Sequence, residues 1–161
     1  MFGKILVCLD GSPLSEQIVP YATEVARRFG SKVVLLQVLQ IPSSLAAASA
    51  QGAENVIEEE LRRLSFEGHQ YLDGIAAQMK ENGVQAETSV IEGTPGAAIV
   101  EFASQSEAEL IVLATHGRKS LGRLVFGSVA DHVMRHTTIP VLSVKPDDGK
   151  ESPPAEPAAE A

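Results

Sequence analysis

Leu110-Ile-Val-Leu-Ala114-Thr115-His116-Gly117-Arg118-Lys119, continuing to Arg123 and then Gly127-Ser128-Val129, is the stretch on which the fold turns. Leu110 to Ala114 is a short apolar run, the pattern of a strand buried on both faces. Val129 to His136 reads as a helix. Two glycines and a serine therefore stand where a strand hands over to a helix, with Arg118, Lys119 and Arg123 between them. Glycine lets a backbone approach a ligand closely, and a helix N-terminus offers unpaired N–H groups to an anion. The combination suits the cradling of phosphate.

Outward from this stretch, strand and helix signals alternate. Lys4 to Leu9 is a first apolar strand, ending in Asp10-Gly11-Ser12-Pro13, where Ser12 suits an N-cap and Pro13 a first helical position. Ile18, Ala22, Val25, Ala26 and Phe29 follow at helical spacing; Pro20 predicts a kink or a weakened first turn, and Gly30 closes the helix. Lys32 to Leu39 is the second strand, and Ile41 to Asn55 lacks periodicity and reads as a mobile loop. A long helix is expected from Val56 to Asn82, its apolar stripe Ile57, Leu61, Leu64, Tyr71, Leu72, Ile75 and Met79, with Gly83 as its stop. Ala86 to Ile91 is a third strand, Gly93-Thr94-Pro95 precedes a helix over Gly96 to Ser106, and Val141 to Val144 is a fifth strand opened by Pro140. Five strands alternating with four helices predict an α/β fold, a doubly wound parallel sheet covered on both faces. Ligands of such sheets bind at the carboxyl ends of the strands where the winding reverses; with the order 3-2-1-4-5, the Asp10 turn and the Gly117 loop flank that reversal.

The 161 residues are 44% hydrophobic, enough for a single core. One domain over 1–145 is expected, followed by an acidic Pro/Ala-rich tail over 146–161 that reads as disordered. The net charge of -8 argues against nucleic acid as a partner; the tail holds five acids against Lys150, about half of that excess. No apolar run approaches a membrane span, no signal segment is recognised, and one Cys makes no disulfide framework, so a cytoplasmic location is expected.

Five segments carry a family likeness: Ile5-Leu-Val-Cys-Leu-Asp10-Gly-Ser12, Val19-Pro-Tyr-Ala22, Glu92-Gly-Thr-Pro95, the glycine stretch, and Ile139-Pro-Val-Leu-Ser-Val144. The chain resembles the universal stress protein family over residues 2 to 145. ATP-binding members of that family carry Gly, two residues, Gly, nine residues, then Gly with Ser or Thr. Here Gly117, Gly127 and Ser128 keep the spacing, and Ala114 stands where the first glycine is expected. The resemblance implies an adenine nucleotide α-hydrolase-like fold and a stress-response regulator acting through ligand-dependent conformation and partner binding. Its implied ligand is ATP or another adenine nucleotide (AMP, ADP or a cyclic nucleotide), with Mg or Mn on the phosphates. By the same likeness Cys8 and Val38 line the adenine pocket, and Asp10 sits by the ribose or the metal. Leu113, Ala114 and His116 border the nucleotide, and Gly117, Gly127, Ser128 and Val129 hold phosphates. A homodimer through strand Val141 to Val144 is implied, as is a regulatory protein partner.

The residues also admit plainer roles. If Ala114 needs a left-handed backbone, alanine costs roughly 1 kcal/mol; if the family glycine only makes room, the methyl narrows the site. Ser128 begins Ser-Val-Ala-Asp131, close to a capping box, and is a candidate N-cap. Asp10 is placed to bind amides of its own turn, and Cys8 to act as a small buried hydrophobe. Arg118, Lys119 or Arg123 is placed to screen phosphate charge. His116 has no paired carboxylate or serine nearby in sequence, and His132 and His136, four apart on a helix, lack a third metal ligand. No catalytic residue is assigned; the alternatives are a slow ATPase, against which G-x-x-x-x-G-K-[ST] is missing, and a nucleotide-free dimeric scaffold, which Ala114 supports.

Overall fold

The computed structural model describes residues 1–40, 54–115 and 127–146. Five strands, β1 (Lys4–Leu9), β2 (Lys32–Leu39), β3 (Ala86–Glu92), β4 (Leu110–Ala114) and β5 (Val141–Val144), form one parallel sheet in the order β3-β2-β1-β4-β5. That is the predicted order, and composition explains it. β1 is central and buried from Ile5 to Leu9, whereas β3 mixes Glu87, Thr88 and Ser89 among its apolar residues and lies at an edge.

Period-two alternation sends the strand side chains into two cores. On one face Ile5, Val7, Leu9, Val33, Leu35 and Val112 pack against Ala22 and Ala26 of α2 (Val19–Phe29) and Leu72, Ile75 and Met79 of α3 (Glu54–Glu81). On the other, Leu6, Cys8, Val34, Leu36, Ile111 and Leu113 meet Ile99 and Ala103 of α4 (Pro95–Gln105) and Ala130 and Val133 of α5 (Ser128–His136).

Several expectations are corrected. The first predicted helix is two: a single turn, α1 (Pro13–Glu16), and then α2, so the described residues hold five helices rather than four. Proline has no N–H to continue the α1 ladder, and Pro20 instead takes a place in the first turn of α2. Phe29, expected inward, is 49% exposed and packs edge-to-face on Phe2 at 5.3 Å. The long helix begins at Glu54, two residues before its predicted start. Its stripe is buried at Leu72, Ile75 and Met79 but only half-buried at Ile57, Leu61 and Leu64. Twenty-eight residues make a helix about 42 Å long, against about 23 Å for a seven-residue strand, so α3 outruns the sheet. Ion pairs Arg62–Glu58, Arg63–Glu60 and Arg63–Glu67 line this overhanging half. The predicted helix stops are in place, Gly30 and Gly83 both having left-handed backbones. The Ile41 loop (up to residue 53) and the tail from Asp147 lie outside the described residues.

Candidate functional site

The winding reverses at β1, whose neighbours β2 and β4 lie on opposite sides, and a crevice opens above their carboxyl ends. The strand register pairs Cys8 with Leu36 on one side and Leu113 on the other, so these three form one row along the sheet. Above the row is a cavity of about 290 Å³. Val38 of β2, Ile99 of α4 and Val129 of α5 continue its apolar wall, and Leu9, Ala114 and Pro95 border it. Its polar lining residues are Asp10, Ser15 and Gln40. A mostly apolar slot lined by a few polar residues is the usual form of a small-molecule site.

The β1–α1 turn holds Asp10 at this mouth by a closed set of local hydrogen bonds. The Ser12 N–H donates to Asp10 Oδ1 at 2.9 Å, and the Ser15 N–H to Ser12 Oγ at 3.1 Å. Ser15, 2% exposed, donates its hydroxyl to Ser12 O at 2.9 Å, while Asp10 N–H donates to Ser15 Oγ at 3.3 Å. Asp10 thus has the turn-forming role expected of it and also lines the cavity. Ser12 caps α1 as predicted.

Cys8 is 8% exposed, and burial pushes its thiol up to about 12. A thiol that stays protonated is a wall of the slot rather than a nucleophile.

Ala114 answers the question that its sequence position raised. It is the last residue of β4 and pairs with Val144, and its backbone is outside the left-handed region. Its side chain packs with the core on the far face from Cys8, Leu36 and Leu113. The methyl is neither strained nor aimed into the apolar slot.

At α5 the N-cap is Gly127, not Ser128, which is the first helical residue. The first intrahelical bond runs from Asp131 N–H to Gly127 O at 2.9 Å, and the N-cap residue itself, a glycine, has no side chain to cap this end. The capping box does not form: the Asp131 carboxylate accepts from Arg135 Nε at 2.8 and 2.9 Å. The amides of Ser128, Val129 and Ala130 precede any intrahelical acceptor and bear the positive end of the helix dipole, beside the cavity wall at Val129. α5 is seated by a close approach to α4, where a Cβ on Gly96 would stand 2.8 Å from His132 Cβ and Cγ. The His132 ring stacks on His136 at 4.1 Å, and among the described residues no three His, Cys, Asp or Glu gather as a metal site.

Of the predicted site residues, Cys8, Asp10, Val38, Leu113, Ala114 and Val129 are brought together around one cavity. Gly127 and Ser128 begin the adjoining helix, and His116, Gly117 and Arg118 lie outside the described residues. Sequence reading missed Leu9, Ser15, Leu36, Gln40, Pro95 and Ile99. Period two from Val38 points to Leu36 and Gln40; nothing local to Pro95 or Ile99 indicates that α4 crosses the crevice.

The model of the Universal stress protein family matches residues 1–145. This chain belongs to the universal stress protein family. It is 34% identical over 145 residues to universal stress protein MJ0531 of Methanocaldococcus jannaschii, covering 90% of this chain and 83% of that one. Two solved universal stress protein structures, each 24% identical to it, share its fold. One, in complex with cAMP, has a TM-score of 0.65 and covers 91% of this chain and 98% of its own. The other, from Archaeoglobus fulgidus in complex with dAMP, has a TM-score of 0.60 and covers 90% and 100%. In this universal stress protein the family match ends at Lys145, one residue after β5.

Proposed function

We propose that this universal stress protein is a stress-response regulator that binds an adenine nucleotide in the crevice between β1 and β4. The observation that carries the reading is the joining of an apolar slot to a helix N-terminus that begins on a glycine, at the winding reversal. The base lies between Cys8, Leu36, Val38, Ile99 and Leu113, the ribose faces Asp10, and the phosphate meets the amides of Ser128 and Val129. His116, Gly117 and Arg118 belong to the same phosphate end by family likeness. The complexes of family structures with cAMP and dAMP support the ligand class.

Within that class ATP is the form the glycine spacing favours, with Mg or Mn carried on the phosphates. Among the described residues that line the cavity, the Asp10 carboxylate, whose Oδ1 also accepts the Ser12 N–H, is the donor suited to such a cation. Bound, the cation neutralises phosphate charge; Asp10 fixes the turn against which that charge settles. Residues 1–145 act as the ligand-binding unit in the cytoplasm, with the tail beyond it. β5 is an edge strand whose outer backbone groups suit pairing with a second copy across a two-fold axis, and ligand-dependent conformation sets the binding of a regulatory protein.

Calorimetric titration with AMP, ADP, ATP and cAMP tests the reading. At least one adenylate is expected to bind, and Gly127→Glu to abolish it by placing a carboxylate where the phosphate belongs. A negative charge at a helix N-terminus stabilises the helix, so the variant is expected to fold. Flat titrations of the parent, or undiminished binding by folded Gly127→Glu, refute the site. Light scattering at micromolar concentration tests the dimer.

A further inference from the structure

The slot is walled by apolar side chains, which discriminate poorly between flat bases of similar size. Three polar residues line it, and the side chains of two of them are engaged in the β1–α1 turn: Asp10 accepts the Ser12 N–H, and Ser15 bonds Ser12 O and Asp10 N. The third, Gln40, follows β2 on the opposite side of β1 from β4 and α5. Strands spaced about 4.8 Å apart put β2 and β4 about 10 Å from each other, and Gln40 and Val129 at the start of α5 border the one cavity from these two sides of β1. A nucleotide has its anion at one end and the edge of its base at the other, and such a ligand spans the two. α4 also begins at this edge, but it opens on Pro95, which has no N–H, with Glu92 close before it, so the anion belongs with α5.

From this placement we infer that Gln40 is a specificity-determining residue, its carboxamide reading the N6 and N7 positions of adenine. The inference rests on the nucleotide reading above. A carboxamide presents one donor and one acceptor side by side. Adenine answers with the N6 amino group as donor and N7 as acceptor, the pairing glutamine makes with adenine elsewhere. Guanine presents two acceptors there, O6 and N7, and leaves the carboxamide oxygen facing O6. This is the edge on which glutamine separates the two purines: on the opposite edge a flipped amide matches either base. Leu36, Val38 and Gln40 share a period-two register, so the residue that would read the base continues the row that would hold its face.

Equilibrium binding of AMP, GMP and 7-deaza-AMP to the parent, Gln40→Ala and Gln40→Met tests it. The second variant keeps the length of the side chain and removes the amide. Gln40 is exposed at the rim, so both variants are expected to fold, and thermal unfolding checks this. The parent is expected to prefer AMP over GMP and over 7-deaza-AMP by about tenfold, the low end for a bidentate base contact because the rim is wet. In both variants the two ratios are expected to fall to about one. Ratios that survive in folded variants overturn the role of Gln40 and leave the nucleotide site standing. A parent that prefers neither AMP over GMP nor AMP over 7-deaza-AMP also overturns it. A parent that binds none of the three removes the site, and the inference with it.

Discussion

Gly96→Ala tests how the two helices that wall the crevice are held together. The new Cβ would meet His132 Cβ at 2.8 Å, Cγ at 2.8 Å and Cδ2 at 2.9 Å. Carbon atoms rest about 3.5–4.0 Å apart, so α4 and α5 must part by about 0.7–1.2 Å or His132 must move from its root. The close atoms are the base of the side chain, and a rotamer change does not carry Cβ away. Overpacking of this kind costs about 1–3 kcal/mol. Alanine recovers little of that through helix propensity, because Gly96 is the second residue of α4, outside the helix interior where alanine's gain over glycine of about 1 kcal/mol applies. At about 2–4 °C per kcal/mol for a chain of this size, the midpoint of thermal unfolding is expected to fall by about 2–12 °C. A double-mutant cycle with His132 identifies the cause. His132→Ala removes Cγ and Cδ2 but leaves Cβ, so it relieves part of the penalty; His132→Gly relieves all of it. Val129 lies one turn before His132 on the cavity wall, so nucleotide affinity is expected to weaken in Gly96→Ala and recover with the second substitution. A Gly96→Ala protein as stable as its parent, or a penalty unchanged by His132→Gly, refutes the reasoning.

Ala114→Gly is expected to leave nucleotide affinity unchanged and to lower stability by about 0.5–1 kcal/mol, the cost of glycine within a strand; tighter binding after the change would show that the methyl does obstruct the ligand. Cys8 is expected to resist iodoacetamide in the folded protein and to react at the rate of unfolding. The thiol ionises near 9.0 in the unfolded chain and near 12 in the fold, so its contribution to stability is complete below pH 9 and is lost as the pH rises toward 12. The unfolding free energy from denaturant titrations should fall by up to about 1.4 kcal/mol per pH unit in that window, and Cys8→Ala should remove this part of the slope. Tyr71, pushed up to about 12 by burial and then by Glu16, adds a smaller loss of the same sign that persists in the variant.

Much of the molecule was legible in its residues because the signals are local. Strands such as Lys4 to Leu9 and Leu110 to Ala114 announce themselves by unbroken apolar runs, since a parallel strand with helices on both sides has no wet face. The stops at Gly30 and Gly83 and the cap at Ser12 need only the conformational preferences of single residues. Half of the cavity could be named in advance because the family likeness carries those positions, while the winding reversal by itself pointed only to the Asp10 turn and the Gly117 loop. Whether Ser128 or its neighbour caps α5 was not local, because the competing partner of Asp131, Arg135, is chosen only once the helix exists. The depth to which α3 is buried depends on the length of a sheet made by other segments. Ala114 is harmless because alternation along β4 turns its methyl to the far core, which the glycine spacing does not express. Ile99 and Pro95 reach the crevice only because Gly96 lets α4 lie against His132. Chain order fixed which residues could be strands, turns and caps; packing between segments distant in sequence decided which side chains share a wall.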